Sequence, residues 1–371
     1  MIWLRGVLLF LLLCARDILG VVVSPEIYYP PGIDPGGQQS SELRQGFVDA
    51  IVLARTVAIT FDPCDAYFNR YFNSEDSKFV SDVFRTLANI PLDISMEDLN
   101  GNLNPDLSNI VTNSALNPRF SELSIAIGDH PDRLRPDHVL CTDNKWYGYF
   151  IPDQRDTTIG RKGIVSICTT SWAYPSLKDI LEPPDAWRGQ PGFGCDGLGD
   201  HDSAWMTSLG AVILHEILHW AYLFQDDVPA WTSQIPLNYY YPGVHDVRDY
   251  APGQGDPPYP SHGYGPFFGP MLKTLPKAQG QYARSIINAD SYVWFAISKY
   301  WAQKCNKYFA PSTSENDATC RDQSWNKFLP NPPPAAPPFP PKKRSILLDR
   351  LLGYRDNATS RPHSRIMALN K

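Results

Sequence analysis

Residues 211–220, AVILHEILHW, set two histidines and a glutamate inside an apolar run. Imidazole or carboxylate buried among Val, Ile and Leu is costly unless a partner satisfies it. On a helix, His215 and His219 stand one turn apart on one face, about 6 Å from each other. Two imidazole nitrogens at that separation can grip one zinc ion. Glu216, next to the first histidine, can then accept a proton from a zinc-bound water. Bound zinc lowers the pKa of that water to about 7, so hydroxide is available at neutral pH. The chemistry these three residues point to is metal-assisted hydrolysis, with Glu216 as general base.

A catalytic zinc needs a third protein ligand and one open position. The continuation HExxHxxGxxH is absent, because Tyr222 and Gln225 stand where that pattern has Gly and His. No glutamate occurs between Glu216 and Glu315, which removes a Glu from a following helix. The downstream Asp and His residues remain: Asp226, Asp227, His245, Asp246, Asp249, Asp256, His262 and Asp290.

The elements that must position these groups follow from periodicity. Leu43, Phe47, Ile51, Ala54 and Val57 fall at helical spacing from Ser41 on, and Phe79, Val80, Val83, Phe84 and Leu87 mark a second helix over 76–89. LSIAIGDH (123–130), KWYGYFIP (145–152) and KGIVSICTT (162–170) are short β-branched or aromatic runs that predict strands. The motif lies in a stretch that can be helical without interruption from Ala204 to Phe224. A further helix is expected over 288–301, with Asn288 as its cap. The segments 172–202 and 225–280 are rich in Pro, Gly and Tyr and are expected as loops. A loop as long as the second is usually functional.

Composition sets the outer limits. The chain has 371 residues, 43% of them hydrophobic and 19% charged, which is enough for a real core. A net charge of −6 argues against a nucleic-acid partner. The N-terminus, with one Arg before the apolar run Val7–Leu13, has the form of a signal peptide over 1–20 and is too short to anchor in a membrane. Cys14 falls in that segment. The other six cysteines suggest three disulfides in a secreted chain, and sequence order favours the short closures 64–141, 168–195 and 305–320. With no CxxC pair, a cysteine zinc site is not expected. Residues 21–40 are expected as a loose leader, 41–328 as the catalytic domain, 329–341 (a proline tract) as a linker and 342–371 as a flexible tail. That tail includes a sequon at Asn357 and the basic run KKR at 342–344. No hydrophobic C-terminal stretch suggests a GPI anchor.

With these motifs in view, residues 45–305 resemble the fungal deuterolysins, the aspzincin group of zinc metalloendopeptidases. In that group HExxH supplies two ligands and a downstream Asp, within a GTxDxxYG-like element, the third. The matching region here is GVHDVRDYAPGQGDPPYPSHGYGP, in which Tyr264-Gly265 resembles the family's Tyr-Gly. The resemblance implies Asp249 as third ligand, with Asp246 as the alternative because GVHD copies the GTxD spacing. More than a dozen residues separate Asp249 from Tyr264, where the family pattern has two. NADSYVWFA resembles the family's NADxYxxFA helix, which packs behind the site, and GIVSIC its edge strand, beside which an extended peptide could add. The pairs Cys64–Cys141 and Cys168–Cys195 resemble the family's two consecutive disulfides. The stretch before Cys64 is short for the large propeptide typical of deuterolysins, and the proline tract and tail are additions.

The expectation is therefore an α+β, zincin-like metalloprotease domain, mainly helical, with a small sheet and an active-site helix carrying HExxH. It would be a secreted, monomeric endopeptidase with one catalytic Zn2+, acting on proteins or peptides, with His215, His219 and Asp249 as ligands, Glu216 as general base and Tyr264 as oxyanion donor. The alternative is a secreted zinc-binding effector or a cell-wall-associated protein without proteolytic activity.

Overall fold

A computed structural model describes residues 25–95, 97, 104, 116–131, 140–141, 146–152, 161–238, 241–250, 260, 262–277 and 282–314. The expected signal peptide, Asp256, Cys320, the proline tract, the sequon and the basic run lie outside these residues. The described part is α+β, with a small mixed sheet set among more numerous helices.

The sheet has four strands, β1 (Glu26–Tyr28), β2 (Leu123–Ile127), β3 (Gly148–Pro152) and β4 (Gly163–Ile167), in the order β1-β2-β4-β3. β1 runs parallel to β2 and β2 parallel to β4, with Ile27 beside Ile125 and Ile125 beside Val165. β3 is antiparallel to β4, pairing Phe150 with Val165. The two inner strands, LSIAI and GIVSI, are mostly apolar, and β4 is buried along its whole length, as a strand covered on both faces should be.

The helices are α1 (Gln38–Thr60), α2 (Ala66–Tyr71), α3 (Ser77–Leu87), α4 (Leu177–Leu181), α5 (Gly194–Gly197), α6 (Leu209–Leu218), α7 (Ala221–Phe224), α8 (Trp231–Gln234), α9 (Gly265–Phe268) and α10 (Ala289–Cys305). α1 presents Leu43, Phe47, Ile51, Ala54 and Val57 to the core, which is the stripe expected from spacing. It crosses α6 at close range. A Cβ on Gly210 would stand 2.4 Å from the Asp49 Cβ, and one on Gly46 2.9 Å from Leu209 and Ile213 side-chain carbons. Glycine at this crossing lets the motif helix lie against α1. α10 is buried from Ala289 to Trp301 and packs on α1, α2 and α6. Its Ser298 donates to the buried Asp202 (2.7 Å), which also pairs with Arg70 of α2.

Several expectations change. Residues 26–28, in the segment expected as a loose leader, form β1; Glu26, Ile27 and Tyr28 find an open edge on β2, a partner nearly a hundred residues away in sequence. The strand GIVSIC is interior, not an edge, because β3 folds back on its other side. The helix expected from Ala204 to Phe224 is broken. Residues Ala204–Met206 form a 3-10 turn, Ser208 caps α6 by accepting the Ala211 N–H (3.2 Å), and the chain leaves helical geometry at Trp220 (ψ 88°). That Trp is fully buried and donates its indole N–H to the Arg161 carbonyl (3.0 Å), so tertiary burial overrides helical propensity there.

The disulfides also differ. They are Cys141–Cys168 and Cys195–Cys305, while Cys64 is exposed with a free thiol. Pairing follows the folded neighbourhood rather than sequence order. Cys168 directly follows β4, where its N–H binds the Tyr147 carbonyl (2.8 Å), and Cys141 is held nearby by Asp129, which accepts its N–H (3.2 Å). Cys195 on α5 meets Cys305 where α10 ends. Among the described residues no helix is long and apolar enough to cross a membrane.

Candidate metal centre

His215 and Glu216 lie in the last turn of α6, and His219 is its C-cap residue. The two imidazole rings are 5.1 Å apart between centroids, on one face as their spacing requires. Each ring is held by its Nδ1. His219 Nδ1 is 2.8 Å from the Val247 carbonyl, and His215 Nδ1 is 3.2 Å from Asp290 Oδ1. A carbonyl accepts only from Nδ1–H, which leaves the His219 Nε2 lone pair facing inward, the arrangement metal-binding histidines use.

Asp249 completes the group. Its Oδ1 is 3.1 Å from His215 Nε2 and 3.6 Å from His219 Nε2. The segment that carries it is fixed to the start of α10: Arg248 N–H binds the Ile287 carbonyl (2.8 Å), and Ala289 N–H binds the Arg248 carbonyl (2.8 Å). Asn288 was expected as a plain helix cap. It sits at the cap position, but its side chain instead accepts the Tyr250 N–H (2.9 Å) and donates to the Gly263 carbonyl (2.9 Å), so it binds two loops to one helix end.

Ligand atoms of His215, His219 and Asp249 all lie within 4.8 Å of one another. His219 Nε2 and both Asp249 oxygens are buried without a hydrogen bond, as are Glu216 Oε2 and the Tyr264 hydroxyl. Buried polar atoms are nearly always satisfied, so several unsatisfied ones converging on one point fit a shared cation. Two imidazoles and one carboxylate form a donor set suited to zinc.

The electrostatics agree. Burial works against charge on all these groups. Even so, the Asp249 and Asp290 carboxylates, one at each ring nitrogen, hold the His215 pKa well above its ordinary value. Burial lowers that of His219. Asp249 is kept below the usual carboxylate range by His219 and His215, despite its burial. Burial, reinforced by Asp249, pushes Glu216 up to about 8, while His215 and the Phe150 N–H on β3 oppose it. Burial and then the Asp249 charge raise Tyr264 well above the ordinary phenol value. The Tyr264 ring stacks on His215, 6.0 Å between centroids at 23°. The cavity these groups share is also lined by Val212 of α6 and by Val293, Trp294 and Ile297 of α10.

Among the described residues the other third-ligand candidates are engaged elsewhere. Asp226 and Asp227 face Arg119. His245 Nδ1 is 2.7 Å from the Ile235 carbonyl. Asp246, the alternative to Asp249, accepts from Asn238 (2.8 Å) and pairs with Arg248 (3.4 Å). His262 packs edge-on against Phe268. Asp290 stands behind His215, on the Nδ1 side. Spacing in sequence carried no signal for the contacts of Val247 and Phe150, which are made by backbone atoms and are independent of residue type. No family model matches this chain, and no curated protein matches it.

Proposed function

We propose that this chain is a secreted zinc-dependent endopeptidase of the aspzincin type, in which His215, His219 and Asp249 would hold the ion. The observation that carries the reading is the convergence of three ligand atoms, two of the residues with buried unsatisfied polar atoms, beside a buried Glu216. The two disulfides are compatible with an oxidising, extracellular setting. When bound, zinc supplies Lewis acidity toward the scissile carbonyl and an acidified water. Glu216 takes the proton of the attacking water and passes it to the leaving amine. Its burial raises its proton affinity, which suits it to carry that proton from water to amine. Burial and the Asp249 charge favour the neutral phenol of Tyr264, which keeps an O–H to donate to the developing oxyanion. The apolar walls of the cavity keep bulk water from competing for these groups.

The test is metal content together with casein hydrolysis, for the wild type and for Glu216→Gln. The amide keeps the shape but cannot take a proton, so zinc content should be unchanged and turnover should fall at least about 100-fold. A Gln variant that still cleaves casein at the wild-type rate would remove Glu216 from the mechanism. Chelator-sensitive stability with no cleavage by the wild type would assign the chain to the zinc-binding effector class instead.

A further inference from the structure

Asp290 belongs to the first turn of α10, and both of its carboxylate oxygens are in use. Oδ1 lies 3.2 Å from His215 Nδ1. Oδ2 accepts the backbone N–H of Gly265 at 2.5 Å. Gly265 has φ +78°, in the left-handed region that favours glycine, and directly follows Tyr264, whose ring stacks on the same His215. One carboxylate thus holds the back of a candidate metal ligand and the turn that carries the candidate oxyanion donor.

We propose that Asp290 is a positioning residue that binds His215 and the Tyr264–Gly265 turn into one unit, so that metal loading and the placement of the Tyr264 hydroxyl depend on the same side chain. This rests on the metal-centre reading above. Because a carboxylate oxygen accepts, it orients the His215 proton onto Nδ1 and leaves Nε2, 3.1 Å from Asp249, as the ligand atom. Asn cannot replace it. An amide has one acceptor oxygen and one donor nitrogen. If its oxygen serves His215, its NH2 opposes the Gly265 N–H; if its oxygen serves Gly265, its NH2 faces His215 Nδ1 and favours the tautomer with the proton on Nε2. Asp290→Asn therefore breaks one of the two links whichever way it turns.

The experiment compares the full chain with Asp290→Asn by zinc competition against a chromogenic chelator, and by amide hydrogen exchange at Gly265. The variant should bind zinc about 10- to 100-fold more weakly, the range for losing the group that orients a ligand. Its Gly265 amide should exchange faster than that of the wild type, with zinc absent as well as present. A carboxylate that merely favours the start of a helix would lower the melting temperature and leave zinc affinity and Gly265 exchange unchanged. That result would overturn the proposal. A wild type that takes up no zinc overturns the metal centre itself, a failure distinct from equal, tight binding by both proteins. If the variant does not fold, imidazole 15N spectra of the zinc-loaded wild type decide. A hydrogen-bonded proton on His215 Nδ1 supports the role, and a proton on Nε2 refutes it.

Discussion

Two buried aspartates three residues apart separate the metal reading from its nearest competitor. Asp249 faces both histidines at 3.1 and 3.6 Å, whereas Asp246 is engaged by Asn238 and Arg248. Asp249→Asn replaces a charged candidate ligand with a neutral amide and leaves the volume nearly unchanged. Asp246→Asn makes the same chemical change outside the cluster. A ligand that binds only the folded chain stabilises it by about 4 kcal/mol when its concentration is a thousand times Kd. For a domain of this size 1 kcal/mol shifts the midpoint by about 2 °C, so zinc should raise the wild-type melting temperature by about 8 °C over the value in chelator. The assay is a thermal melt followed by near-UV circular dichroism, with and without zinc, on three proteins. Wild type and Asp246→Asn should both show the shift. Asp249→Asn should lose most of it at the same zinc concentration. No shift in the wild type, or a shift that survives in Asp249→Asn and disappears in Asp246→Asn, would refute zinc binding through Asp249.

Two further predictions concern the frame around the centre. Burial pushes the His262 imidazole down to about 4, against about 6.5 in the unfolded chain. The folded state therefore binds fewer protons below pH 6.5, and the stability this ring contributes is complete above that value and is lost as pH falls toward 4. At pH 5 the loss is about 2 kcal/mol. Urea midpoints at pH 7 and pH 5 should differ by less in His262→Gln than in the wild type, and equal differences would show that the ring does not titrate as its burial implies. Unreduced peptide mapping should recover Cys141 linked to Cys168 and Cys195 linked to Cys305. The second bridge closes a sequence separation of 110 residues against 27, so paired Cys→Ser replacement should cost about 4.8 kcal/mol there and about 3.6 kcal/mol at the first. A fragment linking Cys64 to Cys141 would overturn the observed pairing.

Much of the site could be read before folding was considered, because its chemistry is local. His215 and His219 share a face through helical spacing alone, and Glu216 is their chain neighbour. The stripes of α1 and α3 follow from a period of 3.6, and β2, β3 and β4 from short runs of β-branched and aromatic residues, neither of which needs knowledge of the rest of the chain. Tertiary structure alone decided which of several acidic residues joins the histidines. Asp246 and Asp249 are alike in type and surroundings in sequence, and only the docking of 248 against the start of α10 turns Asp249 inward. The same holds for the break at Trp220, for β1 and for the disulfides. Each depends on a partner remote in the chain, as Asp290 is from His215 at a separation of 75 residues. Short-range pattern records what a segment can become. Which distant groups meet is determined by how helices and strands pack around a common core, and that packing leaves no periodic trace in the residues it brings together.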